Sequence, residues 1–104
     1  MERGRKMTEN SYKTPCGCIH YFVNIIDKQK ITLVFLPGLT ADHRLFEKQI
    51  EYFEKKQNVF VWDAPSHALS RPFTNNYSLS DMAEWLDIIL AKEEIYNPII
   101  IGQS

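Results

Sequence analysis

Few side chains in this sequence can do covalent chemistry, and one of them stands in a suggestive place. Asn97-Pro98-Ile99-Ile100-Ile101-Gly102-Gln103-Ser104 joins a short apolar run to Gly-x-Ser. Such a run reads as a strand buried on both faces. A serine just past the glycine that ends it carries its hydroxyl at a strand terminus, where it becomes a nucleophile if a base adjoins it. The candidate bases are His20, His43 and His67. His20 and His43 read as ordinary strand and helix-surface residues.

The two cysteines, Cys16 and Cys18, form Cys-x-Cys-x-His with His20. On a strand these three side chains share one face. A zinc site needs a fourth ligand and a closer match to known spacings, so alternating residues of a plain strand are expected, with no metal. One intervening residue would strain a Cys16–Cys18 disulfide. The glycines are Gly4, Gly17, Gly38 and Gly102. Neither Gly-x-Gly-x-x-Gly nor Gly-x-x-x-x-Gly-Lys-Ser/Thr can be assembled from them, which excludes a dinucleotide fingerprint and a P-loop of the usual form.

The elements that must position Ser104 follow from periodicity. Residues 1–14 are polar and read as a flexible tail, leaving 15–104 as the folded part. Residues 17–26 are β-rich and end in a charged turn, Asp27-Lys28-Gln29-Lys30. Ile31-Thr32-Leu33-Val34-Phe35-Leu36 follows, apolar on both faces and stopped by Pro37-Gly38. The short connection predicts an antiparallel hairpin, the two strands adjacent or nearly so. The first strand has room for a bend near Pro15 and Gly17.

Thr40 or Asp42 can then cap a helix reaching about Lys56, with Leu45, Phe46, Ile50 and Phe53 at helical spacing. Val59-Phe60-Val61-Trp62 is the next apolar strand, followed by a loop over 63–76. Ser78-Leu79-Ser80-Asp81 fits a capping box, and Leu79, Met82, Ala83, Leu86, Ile89 and Leu90 mark a helical face beyond it. Strand, helix, strand, helix, strand implies a parallel sheet covered on both faces, a three-layer α/β/α architecture behind a leading antiparallel hairpin.

Composition agrees with a globular domain: 104 residues, 44% of them hydrophobic. A net charge of −1 argues against nucleic acid or an anionic membrane as partner. Arg3, Arg5 and Lys6 form only a short basic cluster. A signal-peptide apolar region and a transmembrane run are both missing from the sequence, so a cytoplasmic location is expected.

Three loops in this frame resemble the α/β-hydrolase family, in the family's order. Gly102-Gln103-Ser104 looks like the first half of Gly-x-Ser-x-Gly, the nucleophile elbow. Val34-Phe35-Leu36-Pro37-Gly38-Leu39 is similar to the family's strand and His-Gly-x, with Pro37 in place of the histidine. Val61-Trp62-Asp63-Ala64-Pro65-Ser66-His67-Ala68-Leu69-Ser70 resembles Asp-x-Pro-Gly-His-Gly-x-Ser. There Ser66 and Ala68 replace both glycines, which removes the residues best suited to positive φ.

The resemblance implies the N-terminal part of a serine hydrolase, its C-terminal half absent. Ser104 would be the nucleophile, and the Leu39 amide, supported by Gly38, one donor of the oxyanion hole. His67 would be structural. The substrate would be a small ester, thioester or related acyl compound, processed through an acyl-serine with no cofactor. The family's acid and histidine follow the serine, whereas Asp42, Asp63, Asp81 and Asp87 all precede it. The chain alone would then be inactive. A non-catalytic truncated product and a flavodoxin-like binding module are the alternatives; substrate and oligomeric state stay open.

Overall fold

The computed structural model describes residues 7–38, 41–67, 69–74 and 76–102. Five strands form one sheet in the order β1-β2-β4-β3-β5. They are β1 (Thr8–Thr14), β2 (Gly17–Asn24), β3 (Thr32–Leu36), β4 (Asn58–Trp62) and β5 (Pro98–Gly102). The helices are α1 (Glu47–Phe53), preceded by a 3-10 turn over His43–Phe46, and α2 (Leu79–Lys92).

The leading hairpin is β1–β2. Residues 8–14, expected as tail, form a full antiparallel strand in register from Thr8–Val23 to Thr14–Gly17. Polarity misled here: β1 is an outer strand whose Glu9, Ser11 and Lys13 face water, and such a strand needs few apolar residues. Thr14 closes the turn, its Oγ1 accepting from the amides of Cys16 (3.0 Å) and Gly17 (3.1 Å).

β2 runs antiparallel to β3, as expected, but β4 lies between them. The connection over 25–31 is long enough to step across one strand, and buried Asn58 at the start of β4 pins it. The Asn58 Oδ1 accepts from the amides of Ile26 (2.7 Å) and Asp27 (3.1 Å), and its Nδ2 donates to the carbonyls of Asp27 (2.9 Å) and Lys30 (3.2 Å). Since β2 is antiparallel to β4, the all-parallel flavodoxin-like alternative does not apply.

β3 to β4 steps one way across the sheet, and β4 to β5 steps back past β3. Crossovers of one hand then put the two helices on opposite faces. That is the arrangement seen. Leu33, Phe35, Val59 and Val61 pack with Phe46 and Ile50 on the α1 side. Val34, Phe60, Trp62, Ile19, Tyr21 and Val23 pack with Ile89 and Leu90 on the α2 side. Strand period two distributes one apolar run between two cores.

The capping box forms as expected: Asp81 N–H donates to Ser78 Oγ (3.1 Å) and Ser78 N–H to the Asp81 carboxylate (2.9 Å). Leu45, counted toward the core, stays exposed because the first turn is 3-10 and shifts the helical phase. β5, expected to be buried on both faces, is an edge strand here, with Ile99 47% and Ile100 51% exposed. Among the described residues no helix is long and apolar enough to cross a membrane.

Candidate active site

The parallel strands β4, β3 and β5 end side by side. Leu36, last in β3, is the register partner of Gly102, last in β5, and Phe35 pairs with Val61 just before the end of β4. The carboxyl ends of these three strands therefore lie side by side at one end of the sheet, the place where open α/β sheets hold ligands. Leu39 and Ser104, the expected oxyanion donor and nucleophile, lie outside the described residues.

Beyond β3 the buried Pro37 leads into Gly38, whose carbonyl accepts from the amide of Ala41 (3.1 Å), closing a turn. Asp42 caps the 3-10 turn by accepting from the Arg44 amide (2.8 Å). Its carboxylate also takes the Arg44 guanidinium (2.6 Å), which holds the Asp42 carboxyl below its ordinary range.

Beyond β4 stands Asp63, completely buried. A carboxylate in that position needs donors, and it has three. The Oδ1 accepts from the His43 amide (2.7 Å), and the His43 Nδ1 lies 2.9 Å from Oδ1 and 3.1 Å from Oδ2. The Leu69 amide donates to Oδ2 (3.2 Å). With a carboxylate as its partner, Nδ1 is the nitrogen that carries the proton. The imidazole packs on Phe22 with ring centroids 4.3 Å apart.

His43 is thus no ordinary surface residue, contrary to expectation. The available signal was Asp63 itself: an acid directly after an all-apolar strand is buried and must find donors. Nothing in the spacing pointed to His43 as the one that supplies them.

The loop from Asp63 is held at several of its described residues. Asp63 N–H donates to the His20 carbonyl (2.9 Å), while buried Ser70 donates through Oγ to the Asp63 carbonyl (2.6 Å) and accepts there from the His20 amide (2.8 Å). Ser66, at the position where the resemblance expects glycine, adopts φ 75 nonetheless. Tyr77 holds it, its hydroxyl donating to the Pro65 carbonyl (3.2 Å) and meeting Ser66 Oγ at 2.9 Å. The tight turn therefore survives the loss of its glycine. His67 spends its Nδ1 proton on the Pro65 carbonyl within the same turn (3.0 Å). A nitrogen so engaged belongs to the turn's own structure.

Cys16 sits in the hairpin turn, and Cys18 and His20 alternate along β2. Both cysteines are free thiols. Among the described residues no group of three or more His, Cys, Asp or Glu side chains is arranged to hold a metal ion.

The sequence profile of the alpha/beta hydrolase fold matches residues 31–104, well over half of the chain. The chain belongs to the alpha/beta hydrolase fold family.

Solved structures agree with that assignment. The Cif epoxide hydrolase from Acinetobacter nosocomialis superposes with a TM-score of 0.82 at 16% identity, covering 99% of this chain and 32% of its own. A putative hydrolase from Rickettsia typhi gives 0.79 at 17%, covering 96% and 40%. A putative lipase from Acinetobacter baumannii gives 0.76 at 21%, covering 94% and 33%. Identities this low speak for the fold alone. The chain spans only 30–40% of the length of these and similar solved structures. No curated protein matches.

Proposed function

We propose that this chain is the N-terminal section of a serine hydrolase of the alpha/beta hydrolase fold, acting on small ester, thioester or related acyl substrates. The observation that carries the proposal is the register pair Leu36–Gly102, which brings the last residues of β3 and β5 side by side at the carboxyl end of the parallel strands. Ser104 attacks the acyl carbonyl, the amides of Leu39 and of the residue following Ser104 receive the developing oxyanion, and water resolves the acyl-serine. A histidine and an acid from later in the polypeptide complete the triad.

Neither His43 nor His67 is assigned that role: both precede Ser104, whereas the family's histidine follows it, and their Nδ1 atoms meet Asp63 and the Pro65 carbonyl. The 104-residue chain is accordingly inactive by itself, because losing triad members costs on the order of 10⁴–10⁶ in rate. The protein works in the cytoplasm on a small-molecule substrate.

The test is covalent labelling by a fluorophosphonate. A polypeptide extended through the remaining strands of the fold is labelled at Ser104 and hydrolyses p-nitrophenyl acetate, and Ser104→Ala abolishes both. His67→Ala leaves labelling largely intact. Turnover by the 104-residue chain that Ser104→Ala removes would refute the assignment of missing machinery.

A further inference from the structure

We infer that the His43–Asp63 pair is the positioning device for the oxyanion loop, an assignment that rests on the serine-hydrolase reading. The Asp63 carboxylate is fully buried, and His43 grips it twice, through its main-chain amide at 2.7 Å and its Nδ1 at 2.9 Å. This double contact falls at the first residue of the 3-10 turn, five positions after Gly38. The described residues on either side of the loop are thus both anchored, Leu36 in β3 and His43 at Asp63.

The anchor does not yield. Asp63 directly follows β4, with its amide bonded to the His20 carbonyl and its carbonyl to Ser70 Oγ. Phe22, on β2, backs the imidazole and fixes its plane. An oxyanion donor works only if it is aimed before the charge develops. Displacing a reacting group by about 1 Å can cost on the order of 10²-fold in rate.

An aspartate bonded to a histidine Nδ1 is also the arrangement of a catalytic base and its orienting acid; here the pair stands beyond β4 and the ring faces β2, and we assign it the positioning role. β4 and β5 are separated by β3, so their ends lie two strand spacings apart, about 10 Å. The ring packs against β2, on the far side of β4. His43 acts on the reaction through the loop it holds.

The test uses the extended, Ser104-dependent polypeptide with p-nitrophenyl acetate and a fluorophosphonate as probes. His43→Ala and His43→Gln are expected to lower kcat and the labelling rate about 10–100-fold, with KM within about threefold of the parent. His43→Asn restores most of the rate, because its amide nitrogen falls where Nδ1 stands and can still donate to Asp63. If His43→Ala does not fold, the Asn and Gln variants decide the matter between them. Ser104-dependent activity indifferent to all three substitutions, equal losses in Asn and Gln, or failure of all three to fold overturns the inference. Activity that survives Ser104→Ala refutes the serine reading and this inference with it, and is recognised before any His43 variant is compared.

Discussion

The two edges of the sheet are built on opposite plans. β1 is a polar outer strand, Thr-Glu-Asn-Ser-Tyr-Lys-Thr, its alternate side chains in water. β5 is Pro-Ile-Ile-Ile-Gly, and its Ile99 and Ile100 stand half in solvent. Charge and short polar side chains blunt an edge against further pairing; a bare isoleucine run invites it. The hairpin side is closed as well by the loop after β4. Phe73 makes a bridge to Gly17, Thr74 N–H donates to the Cys16 carbonyl at 3.0 Å, and Phe73 packs with Tyr77 and Trp85. One edge terminates a sheet, while the other has the composition of a strand with neighbours on both sides.

The sharpest way to break this comparison is a charge on each edge. Ile100 is the register partner of Val34 in β3. In the extended polypeptide Ile100→Lys is expected to cost about 3 kcal/mol or more, as an unpaired buried charge does. In the 104-residue chain it costs about 1 kcal/mol at most and suppresses self-association. Ser11→Lys on β1 stays within about 0.5 kcal/mol in both. Urea melts and sedimentation velocity read these effects; equal costs for Ile100→Lys in the two lengths would remove the distinction between the edges.

Gly17→Ala probes the closed side. A methyl there would lie 2.6 Å from Phe73 Cδ2 and 2.8 Å from the Pro72 carbonyl oxygen, at a φ of +155 that side chains rarely adopt. The aromatic packing of Phe73 resists displacement, so a loss of about 1–3 kcal/mol is expected in thermal or urea melts. A neutral outcome would mean that the loop after β4 does not close this edge.

Tyr21 tests the attachment of β2 to α2. Its hydroxyl donates to the Glu93 carboxylate at 2.6 Å, and Tyr21→Phe should cost about 1–2 kcal/mol. Burial first, and then the Glu93 bond and charge, raise the Tyr21 pKa above its ordinary 10.0. A raised folded-state value means that this stability is complete below about pH 10 and is lost as pH climbs from there toward the folded pKa. Wild type should lose stability on that alkaline limb, and Tyr21→Phe should lack the Tyr21 component. Parallel limbs in urea melts would show the hydroxyl to be uninvolved.

The smallest effect belongs to Ser66. Ser66→Ala keeps the unfavourable φ and loses the Tyr77 contact, at about 1 kcal/mol. Ser66→Gly loses the same contact but relieves the backbone, leaving a net change within about 1 kcal/mol. Alanine should therefore be the worse of the two, and the reverse order would deny strain at this turn.

Local order was legible wherever a property repeats or terminates along the chain. The runs at β3 and β4 announced a two-faced sheet, Pro37-Gly38 its first exit, and Ser78 with Asp81 the start of α2. The three loops and their order pointed to the family. These follow from nearest-neighbour chemistry, because period, caps and turn formers act over a few residues.

Strand order, the strand nature of residues 8–14 and the depth of Asp63 were settled only by the tertiary structure. β4 enters between β2 and β3 because Asn58 meets the connection at residues 26–30, a contact across some thirty positions that no local period encodes. Polar β1 becomes a strand because β2 offers it a ladder of hydrogen bonds. His43 finds Asp63 twenty positions away because folding buries a carboxylate that must then be satisfied, and the partner it takes is whichever donor the packed chain brings near.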